Sequence, residues 1–180
     1  MPKYNMEMIL EWAKVFPKNK DEGGDGNTAA KKVKKMGGQY SVNAYFTDQE
    51  QIDKLVQDGL DLMPMGNKRI KDGNSEYGIG QYMKLGRFHN NEVIYTDKNG
   101  KEQSVDHGGA PIVADLRMGV ENKRHWSYED DGLIWNGSKA NVLFETYSDG
   151  AGVRLIAVGV TELAEPEDNR ELADDFTVGL

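Results

Sequence analysis

The chain has 180 residues and a formal net charge of −8, from 22 Lys and Arg against 30 Asp and Glu. It contains no cysteine, which excludes disulfides, thiolate metal sites and a cysteine nucleophile. No apolar run approaches the roughly 20 residues that a membrane helix needs. An apolar content of 38% with 21 glycines points to short strands joined by many turns. The size fits one domain plus a tail. The start, Met-Pro-Lys-Tyr-Asn, lacks a basic stretch followed by an apolar one, so no signal peptide is expected and the chain reads as soluble and intracellular.

Residues 6–16 alternate roughly through Met6, Met8, Leu10, Trp12 and Phe16 and are expected to form a strand. Residues 18–38, rich in Gly, Asp and Lys, read as a loop. Gln39–Phe46 alternates aromatic and β-branched residues with small polar ones, a strand pattern. The clearest helix spans 47–59, with Thr47 or Asp48 as N-cap, Glu50 at the capping-box offset from Thr47, and Gly59 closing it. Ile52, Leu55 and Val56 supply its apolar stripe. Residues 60–80 read as a loop, with a basic Lys68-Arg69-Ile70-Lys71, and 81–88 as a strand.

The strongest hairpin signal is 92–97 and 101–105 about Asn99-Gly100, a pair suited to the positive φ angles of a type I′ turn. A short strand is expected over 111–116 and a loop over 119–129. Two long strands, 138–147 and 153–163, close the domain as a second hairpin. Many strands with one main helix between early ones predict an all-β domain over 1–163, an OB-fold-like five-stranded barrel with an added hairpin.

Charge is unevenly spread. The last twenty residues carry seven carboxylates and only Arg170, while residues 1–160 are nearly balanced, with 21 basic and 23 acidic side chains. Like-charge runs of this kind are usually solvated interaction tails, so 164–180 is expected to be a disordered acidic tail. Within the body, Lys31, Lys32, Lys34 and Lys35 form a basic cluster whose functional reading is a mobile, phosphate-contacting arm and whose plain reading is a solvated helix face. Tyr82, Lys84, Arg87 and Phe88 share one segment. Lys123 and Arg124 stand beside Trp126 and Tyr128 in polar company. Cations that follow a backbone and flat rings that stack on bases are what single-strand binders need. Trp12, Tyr40 and Phe144 are instead expected in the core.

Catalytic signals are weak. His89, His107 and His125 lie 18 residues apart, with no local metal-binding pair. Asp106-His107-Gly108-Gly109 reads as a charged turn, Glu129-Asp130-Asp131 as a solvated one, and Gly78-Ile-Gly80 lacks the Lys and spacing of a phosphate loop. No catalytic residue, metal or cofactor is expected. A metal-dependent nuclease using Asp130, Asp131 and a histidine ranks third among the readings.

Several runs together resemble the phage single-stranded DNA-binding proteins of the T7 type: Lys35–Phe46 with Thr47-Asp-Gln-Glu-Gln-Ile following, Leu85-Gly-Arg-Phe88, Ile134-Trp-Asn-Gly-Ser-Lys-Ala-Asn-Val142 and Gly152–Val160. The most diagnostic piece is a Gly-Ser-Lys turn into a strand, then a strand reading G-V-R-L-x-x-V-x-V, then acidic residues reaching Asp174-Asp175-Phe176. The resemblance covers about residues 10–176. It implies an OB-fold, sequence-independent coating of single-stranded DNA in phage replication, recombination and repair, and no enzymatic activity. It also implies the cytoplasm of the infected host cell and an acidic tail whose tip, Asp174, Asp175 and Phe176, recruits a polymerase, helicase or nuclease. Thr177-Val-Gly-Leu180 follows that tip, where such tails end on or beside the aromatic, so Leu180 shares the expected docking role. No membrane partner is expected, and a homodimer is compatible with the reading. The alternative is a non-enzymatic β-barrel module for protein interaction or virion assembly.

Overall fold

A computed structural model describes residues 2–61, 66–147, 150 and 152–166. Strand β1 (Lys3–Lys14) alternates exposed and buried side chains and turns Tyr4, Met6, Met8 and Leu10 to the core. Strand β2 (Gln39–Phe46) does the same through Tyr40, Val42, Ala44 and Phe46. Between them the expected loop contains a helix, α1 (Thr28–Lys35). Asn27 caps it, its side-chain oxygen accepting from the Ala30 N–H at 2.8 Å, and Lys32, Lys34 and Lys35 sit in the last turn, where the helix dipole favours cations. Helix α2 (Gln49–Gln57) follows, capped by Asp48 rather than Thr47. Gln51, not Glu50, reaches back to the Thr47 N–H at 2.8 Å. Ile52 and Leu55 are buried, but Val56 faces solvent.

The expected loop 60–80 carries the short strand β3 (Ile70–Asp72), paired with β4 (Gln81–Phe88). Strands β5 (Glu92–Thr96) and β6 (Glu102–Asp106) form a two-stranded sheet of their own. Their turn is not type I′. Only Gly100 has positive φ, +77°, and the Asp97 carboxylate accepts from the Asn99 and Lys101 N–H groups. That is a three-residue loop ending in a left-handed glycine.

Strand β7 (Ile112–Asp115) runs parallel to the last strand and pairs with β8 (Arg124–His125). Residues 119–129, expected as loop, also hold a 3-10 turn and the start of α3 (Tyr128–Asp131). The final hairpin, β9 (Lys139–Tyr147) and β10 (Gly152–Glu162), is as expected.

The large sheet has eight strands in the order β3-β4-β2-β1-β9-β10-β7-β8, and it is not closed. The protein is therefore mostly β, with three short α-helices among the described residues where one had been expected. Its core runs beneath β1, β2, β4, β9 and β10, and includes Tyr40 and Phe144 as expected. Trp12 is not in it: β1 bulges there and leaves the ring 62% exposed. Among the described residues no helix is long and apolar enough to cross a membrane.

A candidate nucleic-acid interface

Strand β4 builds the site by alternation. Met83 and Leu85 point into the core, so Tyr82, Lys84, Gly86 and Phe88 share the outer face. Arg87 falls on the inner side, where β4 passes β10. Its Nη1 donates to the Leu155 carbonyl at 3.1 Å, and its Nη2 to the carbonyls of His107 and Gly108 at 2.9 and 2.8 Å. The guanidinium therefore ties β4 to β10 and to the segment after β6 across a gap that no ladder closes. Its Nε is buried without a hydrogen-bond partner among the described residues. Burial, and then the neighbouring Arg154 charge, lower the Arg87 pKa from its ordinary value, although an arginine stays charged.

Arg154, on β10, is also buried. It pairs with Glu145 through Nη2 at 2.5 Å and Nε at 3.0 Å, and stacks over the Tyr147 ring with 5.1 Å from guanidinium carbon to ring centroid. Arg69 donates from Nε to the Leu60 carbonyl at 3.2 Å, and burial lowers its pKa as well. Together these groups line a cleft of about 330 Å³ whose described lining residues include five cations, Arg69, Lys71, Lys84, Arg87 and Arg154, and no carboxylate. Phe88 and Tyr147 add aromatic surface, and Gly86 lies among the lining residues. A Cβ at Gly86 would stand 2.9 Å from the Tyr40 carbonyl oxygen, so the close approach of β2 and β4 requires glycine there.

Among the described residues, the three guanidiniums and two lysines of this cleft outnumber the carboxylates that act on them, Glu145 on Arg154 and Arg87, and Asp106 on Arg87, which leaves an excess of positive charge in a concave site. Such a site attracts anions, and arginine forks match phosphate oxygens.

Of the sequence-nominated residues, Lys84, Arg87 and Phe88 meet in this cleft. From α1, Lys32 joins them by placing its Nζ 5.4 Å above the Phe88 ring. The lysine cluster is thus an ordered helix rather than an arm. Lys31, Lys32, Lys34 and Lys35 are all exposed, and Lys34 pairs with Asp25 at 3.2 Å. Tyr82 stays on the same face but leans on Tyr45, ring centroids 5.1 Å apart.

The second nominated group does not join them. It lies at the opposite end of the strand order, around β8. Trp126, expected as an exposed stacking ring, is core: 6% exposed, its Nε1 donating to the Gly132 carbonyl at 2.9 Å, with Arg117 packed over it at 4.9 Å. Tyr128 is half-buried, edge-on to Phe16, with Lys18 above its ring. Arg124 is held by Asp131 and Asp115, both at 2.7 Å, which leaves Lys123 as the one member of that group without an ion pair among the described residues.

Sequence reasoning missed Arg69, Lys71, Tyr147 and Arg154. The basic run at 68–71 was visible but read as loop, and Arg154 is a lone cation in an apolar strand, a signal in itself.

Among the described residues no three His, Asp or Glu side chains gather to hold a metal ion. Asp131 is committed to Arg124 and to the Ser127 N–H, which hold its carboxyl below the usual range. The tail residues Asp174, Asp175 and Phe176, like Leu180, lie outside the described residues. No protein-family model, curated protein or solved structure matches the chain.

Proposed function

We propose that this protein binds single-stranded DNA without sequence preference, coating it during phage DNA replication, recombination and repair in the cytoplasm of the infected cell, with no catalysis. The observation that carries the reading is the cleft between β4 and β10, whose described lining residues include five cations, two aromatic rings and no acidic residue. Cations to track phosphates beside rings to stack on bases are the physical requirement of such binding. The strand order supports an OB-type reading. The run β4-β2-β1-β9-β10 is antiparallel throughout, so β4 and β10 lie parallel, facing each other across the gap that Arg87 spans. A partly open five-stranded Greek-key barrel of this kind is a common oligonucleotide platform. The resemblance to the T7-type proteins adds the proposal that the acidic tail, through Asp174, Asp175 and Phe176, recruits replication proteins.

The test is a titration with poly(dT) at two or more salt concentrations. Affinity is expected to fall steeply with salt, by about 0.7 in the log–log slope for each phosphate neutralised. Replacing Lys71 and Lys84 by Gln is expected to flatten that slope by about 1.4. A flat response in the unaltered protein refutes the phosphate-tracking cleft.

A second reading, a protein-interaction or virion-assembly module, is favoured by the separate β5–β6 hairpin, which exposes Val93, Ile94, Tyr95 and Val105. Failure to bind poly(dT) at low salt would favour it.

A further inference from the structure

Trp12 is the only non-glycine residue with positive φ, +52°, among the described residues. It occupies the bulge in β1, where Glu11 pairs with Asn43 and Lys14 with Ser41, so two residues on β1, Trp12 and Ala13, lie opposite one on β2, Val42. Left-handed bulge positions ordinarily hold glycine, because any side chain there is strained. Here the largest side chain stands in that place. The neighbouring chain holds it: the Trp12 N–H donates to Asn136 Oδ1 at 2.8 Å, and Gly137 and Ser138 bond to both sides of Leu10. Because the Trp12 N–H fixes the Asn136 oxygen, the Asn136 Nδ2 is directed elsewhere, and it makes no hydrogen bond among the described residues. Strain that a structure enforces at an exposed aromatic calls for a functional account.

The bulge turns the Trp12 ring outward over a hollow of about 250 Å³ shared with Leu133, Ile134, Trp135 and Asn136. That volume lies below the ~300–1,000 Å³ of pockets for drug-sized ligands, so it suits one flat heterocycle. Its two charged lining residues, Lys14 and Glu165, have opposite signs, which makes the hollow a poor phosphate site and a suitable place for an uncharged ring.

Its position relates it to the basic cleft. Lys14 pairs with Ser41, and Ser41 with Gly86, which lines that cleft. Directly paired residues share a face, so this row crosses the outer face of β1, β2 and β4 in two strand spacings, about 10 Å. Consecutive nucleotides of one strand can bridge that distance with phosphates toward the cleft.

We propose that the Trp12 hollow is a nucleobase-stacking subsite, in which an unpaired base lies on the Trp12 indole while its backbone runs over Lys14 and Ser41 to the cleft. The proposal rests on the single-strand-binding reading above and adds a specific residue and path to it.

The test uses the full chain with Trp12→Ala, Trp12→Phe and Trp12→Asn, titrated with oligo(dT) and with an abasic deoxyribose-phosphate oligomer of equal length. Trp12→Ala is expected to weaken oligo(dT) binding by about 5- to 150-fold, the equivalent of ~1–3 kcal/mol of stacking. The abasic oligomer should bind the variant and the unaltered protein alike, and the salt slope should not change. Phe should retain most of the affinity. Asn tolerates the left-handed backbone, so Trp12→Asn should fold and lose affinity as Ala does, which separates stacking from stability should Ala unfold. Unchanged oligo(dT) affinity in Trp12→Asn overturns the subsite while leaving the cleft intact. No binding of oligo(dT) by the unaltered protein overturns the single-strand reading and this inference with it.

Discussion

Replacing Arg87 by Ala tests whether one side chain holds the open seam of the sheet. The substitution removes three hydrogen bonds from a charged donor, to the carbonyls of Leu155, His107 and Gly108. Bonds to charged groups contribute about 1.5–3 kcal/mol each, and at the cleft edge water partly replaces the lost donor, so the lower end applies, about 4–5 kcal/mol for the three. Against this stand the relief of Arg87's own desolvation and of its repulsion by Arg154, which reduce the loss. The net expectation is a loss of about 2–3 kcal/mol in urea unfolding, read as a lower midpoint at unchanged slope. Arg87→Lys keeps the charge but not the fork. It can reach at most part of the three-carbonyl set and should recover less than half of the loss. A variant within about 0.5 kcal/mol of the unaltered protein refutes the reasoning, because it would mean that packing alone holds β4 against β10.

Trp126→Ala is expected to unfold early, by about 3–5 kcal/mol, because the ring is buried and hydrogen-bonded. Near-native stability with weakened DNA binding would return it to the surface role its polar neighbours suggest. Asp115, buried beneath Arg117 and Arg124, has a carboxyl pKa depressed to about 2, first by its hydrogen bond to Arg117. A depressed carboxyl stabilises fully above its unfolded value of about 3.9 and loses that contribution as pH falls toward 2. Urea midpoints between about pH 5 and pH 2.5 should therefore fall less steeply for Asp115→Asn than for the unaltered protein; equal slopes would deny the coupling. On the proposed reading the acidic tail would compete with DNA for the cleft, so deleting Asn169–Leu180 should tighten oligo(dT) binding, most at low salt. Weaker binding after truncation would deny that role.

Much of the architecture is decided locally. Period-two alternation sets most of the strands at 39–46, 81–88 and 139–147, where side chains exchange faces residue by residue, whereas the strand at 152–162 is broken by two register shifts and reads as a strand from its apolar, β-branched run. The cap and stripe of α2 and the Asn-Gly turn are equally local, although the turn's conformation depends on the Asp97 side chain. Helix α1 escaped the pattern because only Val33 is buried, leaving no stripe to see.

Tertiary pairing decides the rest. Trp126 looks exposed beside Lys123, Arg124 and His125, and becomes core because β8 pairs with β7 and brings the ring under Arg117. Trp12 sits in an alternating apolar run and becomes exposed because one extra residue in β1 breaks that alternation. Lys84, Arg87 and Phe88 were legible as a mixed cationic and aromatic segment, but their partners are spread from Arg69 to Arg154, up to 70 positions away from Lys84. No local pattern links such residues. Only the passage of β4 alongside β10 concentrates their charges in one cleft, because electrostatic potential depends on distance in space and not along the chain.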